Sequence, residues 1–132
     1  MAIFLDANYL IALFDEDDVH HDNAVKVRTA IDKGDYGAAF TSDDVVDEAI
    51  SVSLRKFGNL AAKQIAQDIT KSVIIIIKDR HIFDNALKLF LETKYNFSFT
   101  DCVIQSVITT TNTECIATFD KEFKKTSVKV VD

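Results

Sequence analysis

The chain opens on Ala2-Ile3-Phe4-Leu5-Asp6-Ala7-Asn8, and the fold is decided here. Four apolar residues in a row describe a strand buried on both faces, because a half-solvated strand alternates apolar and polar residues. Such a strand belongs at the centre of a parallel sheet covered by helices. Asp6 then stands at its carboxyl end, on the side where open parallel α/β sheets bind ligands. A short helix from Asn8 to Phe14 is expected next.

Outward from this stretch, apolar strand patterns alternate with helical ones. The acidic run Asp15 to Asp18 reads as a loop into a helix from about Val19 to Lys33, whose Ala24, Val27 and Ile31 share a face. Gly34, Asp35 and Gly37 end it. A strand over Ala38 to Phe40 leads into Thr41-Ser42-Asp43, good N-cap residues. The helix that follows runs to about Lys56 and is broken at Gly58-Asn59. Then come a helix over Leu60 to Thr70, a β-branched strand over Ser72 to Lys78 and a helix over Asp79 to Lys94. A helix capped by Thr100 reaches about Thr111. Strand Cys115 to Thr118, a short turn or helix at Lys121 to Lys124, and strand Ser127 to Val131 complete the order. The fold class is therefore α/β, a three-layer α/β/α sandwich with a central, mainly parallel sheet. With no proline, three glycines and no low-complexity stretch, residues 1–132 read as a single domain.

Composition narrows the setting. A chain 48% hydrophobic and 27% charged suits an ordinary soluble globular protein. The longest aliphatic run, Val73 to Ile77, is far short of the roughly 20 residues of a membrane helix. The start lacks the basic segment of a signal peptide. No membrane association and a cytoplasmic location are expected. Cys102 and Cys115 have no CxxC or CxxH context, so they read as structural thiols rather than a zinc site or disulfide. A net charge of −6 taken alone argues against a nucleic-acid binder. Acids gathered around a cation change that reading, because the ion then sets the local potential.

Four carboxylates fall at the expected ligand edge. Asp6 follows the first strand and Asp120 closely follows strand Cys115–Thr118. Asp101 lies in the first turn of its helix, and Glu48 about one turn inside the helix after strand Ala38–Phe40. At roughly 100° per residue, Val45, Val46, Ala49, Ile50 and Val52 define a buried face. Glu48 flanks that face, Asp44 lies one turn earlier on a similar side, and Asp47 points towards solvent. Four acids sharing a cleft repel one another unless a cation is present, and hard divalent ions prefer oxygen ligands. Asp is also common after strands simply because it caps helices and tolerates turns, so no single acid decides the matter.

The ordered set resembles the PIN-domain family, the nucleases that include VapC-type toxins. Ile3-Phe4-Leu5-Asp6-Ala7-Asn8 is similar to the family's opening motif. Thr41-Ser42-x-x-Val45-x-x-Glu48 resembles the second, Phe99-Thr100-Asp101 the third, and Ala117-Thr118-Phe119-Asp120-Lys121-Glu122-Phe123 the fourth. Asp15 to Ala24, with His20-His21, is similar to the family's acidic turn and helix start. The resemblance spans almost the whole chain. It implies an Mg²⁺- or Mn²⁺-dependent endoribonuclease with Asp6, Glu48, Asp101 and Asp120 as metal-binding and catalytic acids. It implies Asn8, Ser42 and Thr118 as polar supports. It also implies an RNA substrate, a homodimer, and a small antitoxin protein as partner.

Other features have blander readings. His20 and His21 are adjacent and cannot both face one metal from a helix; they read as helix-start or packing residues. Asp15 to Asp18 lack the spacing of a calcium loop. Lys121, Lys124 and Lys125 either contact RNA phosphates or solvate a turn. Phe83, Phe90, Phe97 and Phe99 read as core and dimer interface. Ala7, where the family often carries Thr or Ser, and a set of only three arginines (Arg28, Arg55 and Arg80) favour the alternative, a non-catalytic PIN-like binding module acting in a protein or RNA complex. A haloacid-class phosphatase wants a second Asp at position 8, which is Asn, and a receiver wants an acceptor Asp after its third strand.

Overall fold

The computed structural model describes residues 1–132. Its five strands are β1 (Ala2–Leu5), β2 (Ala38–Ser42), β3 (Ile74–Ile76), β4 (Cys115–Ala117) and β5 (Lys129–Val131). They form one sheet in the order β3-β2-β1-β4-β5, with every neighbouring pair parallel. The helices are α1 (Ala7–Phe14), α2 (His21–Asp32), α3 (Asp43–Phe57), α4 (Asn59–Ser72), α5 (Arg80–Glu92) and α6 (Phe99–Thr110), and a 3₁₀ turn covers Lys121–Lys125.

β1 is central, as its apolar run requires. Ile3, Phe4 and Leu5 are all buried, although successive side chains point to opposite faces of a sheet. Helices therefore cover both faces. α1 packs on α2 and α3, α3 on α4, and α5 on α6. The core continues through the sheet by side-chain pairs such as Phe4 and Phe40, whose rings meet edge to face at 6.0 Å. Beside them the buried Thr41 hydroxyl donates to the Leu5 carbonyl at 2.7 Å, locking the carboxyl ends of β1 and β2 together.

Most boundaries shift by one or two residues from the sequence reading, and three of the shifts bear on the ligand edge. β2 runs on through Thr41 and Ser42; Ser42 is both its last residue and the N-cap of α3, although its side chain makes no capping hydrogen bond. β3 is short, because at the sheet edge it pairs only with Phe40, Thr41 and Ser42. Ser72 stays in α4 and Lys78 lies beyond the strand. The cap of α6 is Ser98, not Thr100: its hydroxyl accepts from the Asp101 N–H while the Asp101 carboxylate accepts from the Ser98 N–H, both at 3.0 Å. This reciprocal box satisfies two backbone donors and orients Asp101 at the third helical position.

The start of the β1–β2 pair rests on Gly37, which adopts φ +72°. A Cβ there would run into the Met1 carbonyl. Gly37→Ala is therefore expected to destabilise the protein by about 1–3 kcal/mol, through both the positive φ and the clash. Urea unfolding checks this; an unchanged midpoint would show that the two strands do not depend on this close approach.

Candidate metal and nuclease site

The chain lays down β1, β2 and β3 to one side, then returns to place β4 and β5 on the other. Between β1 and β4 the winding reverses, and at such a switch point the carboxyl ends of adjacent strands open a crevice. A cleft of about 560 Å³ lies there, lined by Asp6, Glu48, Asp101 and Asp120, and also by Asn8, Asp44, Asp47 and Lys78. The four acids chosen from sequence thus share one cleft.

Each is positioned by a local device. Asp6 is the N-cap of α1, with one oxygen accepting from the Ala7 N–H at 2.7 Å. Its other oxygen accepts from the Thr118 hydroxyl, also at 2.7 Å. That follows from register: Leu5 is opposite Ala117, so the next residues emerge side by side. The Thr118 oxygen in turn accepts from the Asn8 amide and the Asp120 N–H, each at 3.1 Å. Asn8 accepts from the Phe119 N–H at 3.0 Å. Asp120 caps the 3₁₀ turn with one oxygen, through the Glu122 N–H. Outside this network the His20 ring stacks on Phe119, with centroids 4.3 Å apart and planes 5° from parallel. His21 bonds the Ala12 carbonyl instead. Glu48 is exposed, reaching the cleft from the flank of α3.

The description of the PIN domain family matches residues 3–129 of the chain. The chain belongs to the PIN domain family. A VapC ribonuclease of Archaeoglobus fulgidus is 27% identical over 111 residues, spanning 81% of this chain and 70% of the relative. Among solved structures, Mycobacterium tuberculosis VapC20, a Sarcin-Ricin loop cleaving toxin, superposes with a TM-score of 0.83 at 20% identity, covering 96% of this chain and 98% of its own. Rickettsia felis VapBC2, bound to a DNA fragment from its promoter, gives 0.77 at 13% identity, covering 98% and 97%. At these identities the structures establish a shared three-layer fold. No helix of this PIN domain is long and apolar enough to cross a membrane.

The electrostatics of the PIN cleft are those of crowded acids. Asp6 is pushed up to about 6, first by burial and then by the negative charges of Glu48 and Asp101, against the lowering pull of the Thr118 and Ala7 hydrogen bonds. The cleft offers carboxylate oxygens and no His or Cys as metal donors, which suits a hard divalent cation better than zinc. No three His, Cys, Asp or Glu side chains already stand close enough to cage one ion. Mg²⁺ does not require such a cage: it commonly uses one or two carboxylates and keeps several waters. The donor set of Asp6, Glu48, Asp101 and Asp120 therefore fits such an ion, and these residues would hold it.

Several placements depart from the sequence reading. Asp47 is exposed as expected, yet it also lines the cleft, lying one turn from Asp44 on the same side of α3. Asp44 is paired with Lys78 at 3.2 Å. Ser42 is buried at the end of β2, does not line the cleft, and its hydroxyl has no hydrogen-bond partner. Lys78, absent from the residues selected by sequence, also lines the cleft, just past the carboxyl end of β3, the same position in a strand that marks Asp6.

The Asp6 shift has a definite sign. In the unfolded chain the group titrates near 3.8, and in the folded protein near 6. Between these values the folded state holds more protons, so stability falls as pH rises through the window. Below it the penalty is absent; above about pH 6 it is complete, at about 3 kcal/mol. In EDTA, Asp6→Asn is expected to remove this slope and to be the more stable form at pH 7. Urea unfolding from pH 4 to 7 checks it; parallel curves for the two proteins would refute the effect of burial.

Proposed function

We propose that this PIN domain is an Mg²⁺- or Mn²⁺-dependent endoribonuclease, the toxin of a toxin–antitoxin pair. The observation that carries the reading is the sharing of one cleft by Asp6, Glu48, Asp101 and Asp120, brought together from four distant parts of the chain. The VapC relatives support it, as do the toxin–antitoxin complexes among similar structures. The proposed setting is the cytoplasm, with a small antitoxin covering the cleft and a homodimer using apolar side chains left exposed on α5, such as Leu87 and Leu91.

In this reading Asp6, Glu48, Asp101 and Asp120 hold the divalent cation. When bound, the cation supplies positive charge against the phosphodiester and lowers the pKa of the attacking water. The chain's own contribution is orientation. Thr118 and Asn8 hold Asp6 and Asp120 in a fixed relation, and the Ser98 box holds Asp101. One oxygen of Asp101 and one of Asp120 serve the backbone, leaving the other to face the cleft. Glu48, at the exposed flank, is suited to position the water for in-line attack and to take its proton.

One observation favours the non-catalytic binding module: Ala7 stands beside Asp6 and no arginine lines the cleft. Calorimetric titration separates the two, since an enzyme of this type binds Mg²⁺ or Mn²⁺ at millimolar concentration or below. Purified protein with Mn²⁺ is expected to cleave a structured RNA, and Asp6→Asn or Asp101→Asn to slow cleavage at least about a hundredfold. Cleavage by both variants at the wild-type rate would overturn the assignment.

A further inference from the structure

Six acids and a single base line the cleft; the base is Lys78. It lies just beyond β3 and is tethered at both ends by the first turn of α3. Its backbone N–H donates to Asp43 Oδ1 at 3.0 Å, and its Nζ pairs with Asp44 Oδ1 at 3.2 Å. The pairing of β3 with β2 places it there, because Ile76 sits opposite Ser42, the residue before α3.

We infer that Lys78 is a substrate-binding residue that takes a non-bridging phosphate oxygen of the RNA backbone at the Asp44 side of the cleft. This rests on the ribonuclease reading above. An ammonium carries three N–H donors, and Asp44 engages one of them. Asp44 is the one side-chain partner of Nζ, and the side chain, 28% exposed, lines the cleft, so donors remain for a ligand there. A free lysine would lose rotamer freedom on gripping a phosphate; this one has lost much of it already. The charge balance points the same way. A polyanion entering among six carboxylates gains from a cation placed beside the metal-binding acids, and Lys78 is the cation the chain supplies there.

The competing explanation is purely structural. Asp44 Oδ2 is buried without a partner, so Lys78 could serve only to neutralise that carboxylate. Salt dependence separates the two, because a lysine that neutralises a phosphate contributes to the slope of log K against log[salt] and a structural lysine does not. The probe is a fluorescein-labelled single-stranded RNA of mixed sequence, bound in Mg²⁺ by protein carrying Asp101→Asn to prevent cleavage. Adding Lys78→Met is expected to weaken binding about tenfold and to lower the slope by about 0.7; Lys78→Arg is expected to restore both. If Lys78→Met alone does not fold, Asp44→Asn with Lys78→Met removes both members of the pair, and the same loss of slope is expected. An unchanged slope and affinity in RNA-binding protein overturns the role of Lys78 and leaves the ribonuclease reading standing. Failure of the Lys78-intact protein to bind RNA at all overturns both.

Discussion

The hydrogen bond from the Thr118 hydroxyl to Asp6 is the constraint on which the ligand edge of this PIN domain depends at the switch point of its sheet. It crosses the one place where the sheet's winding reverses, and it exists because parallel register sets Leu5 opposite Ala117. A single hydroxyl donates to one cleft acid while accepting from the backbone of another and from Asn8. Asp6 and Asp120, more than a hundred residues apart in the chain, are thereby fixed with respect to each other. A buried carboxylate without such a donor faces the full cost of desolvation.

The fold tolerates a group it would otherwise exclude. Asp6 is nearly inaccessible and sits near two further negative charges. An arrangement optimised for stability alone would have a neutral side chain in its place. Local rules of stability are most often broken where function demands it. On the proposed reading the same logic would let an acidic protein accommodate a polyanion: six carboxylates line one crevice, where hard cations would offset them.

Much of this was legible in the sequence because it is local or periodic. The unbroken apolar run before Asp6 located the central strand, and the alternation of periods gave the element order. The acids were found by asking which ones follow strands or open helices. What the sequence reading missed depended on partners distant in the chain. The length of β3 is set by how much of β2 it can pair with. That Asp47 lines the cleft beside Asp44 depends on what packs around α3, which the periodicity of an isolated helix does not carry. Thr41 and Ser42 are neighbours, and only the sheet determines which hydroxyl finds a carbonyl. The Ser98 cap is different: Ser98-x-x-Asp101 carries the signature of a reciprocal box, so this correction was available from the sequence.

The stacked rings of His20 and Phe119 lie outside the cleft, yet they bind the loop between α1 and α2 to the residue immediately before Asp120. That loop is mostly exposed and rich in acids, the kind of surface segment that ordinarily accepts insertions freely. Here it acts as an outer brace. Lengthening it would withdraw the imidazole from the benzyl ring, and a carboxylate a hundred positions downstream would lose its backstop without any change in its own neighbourhood. Evolutionary freedom in this part of the surface is therefore narrower than its exposure implies.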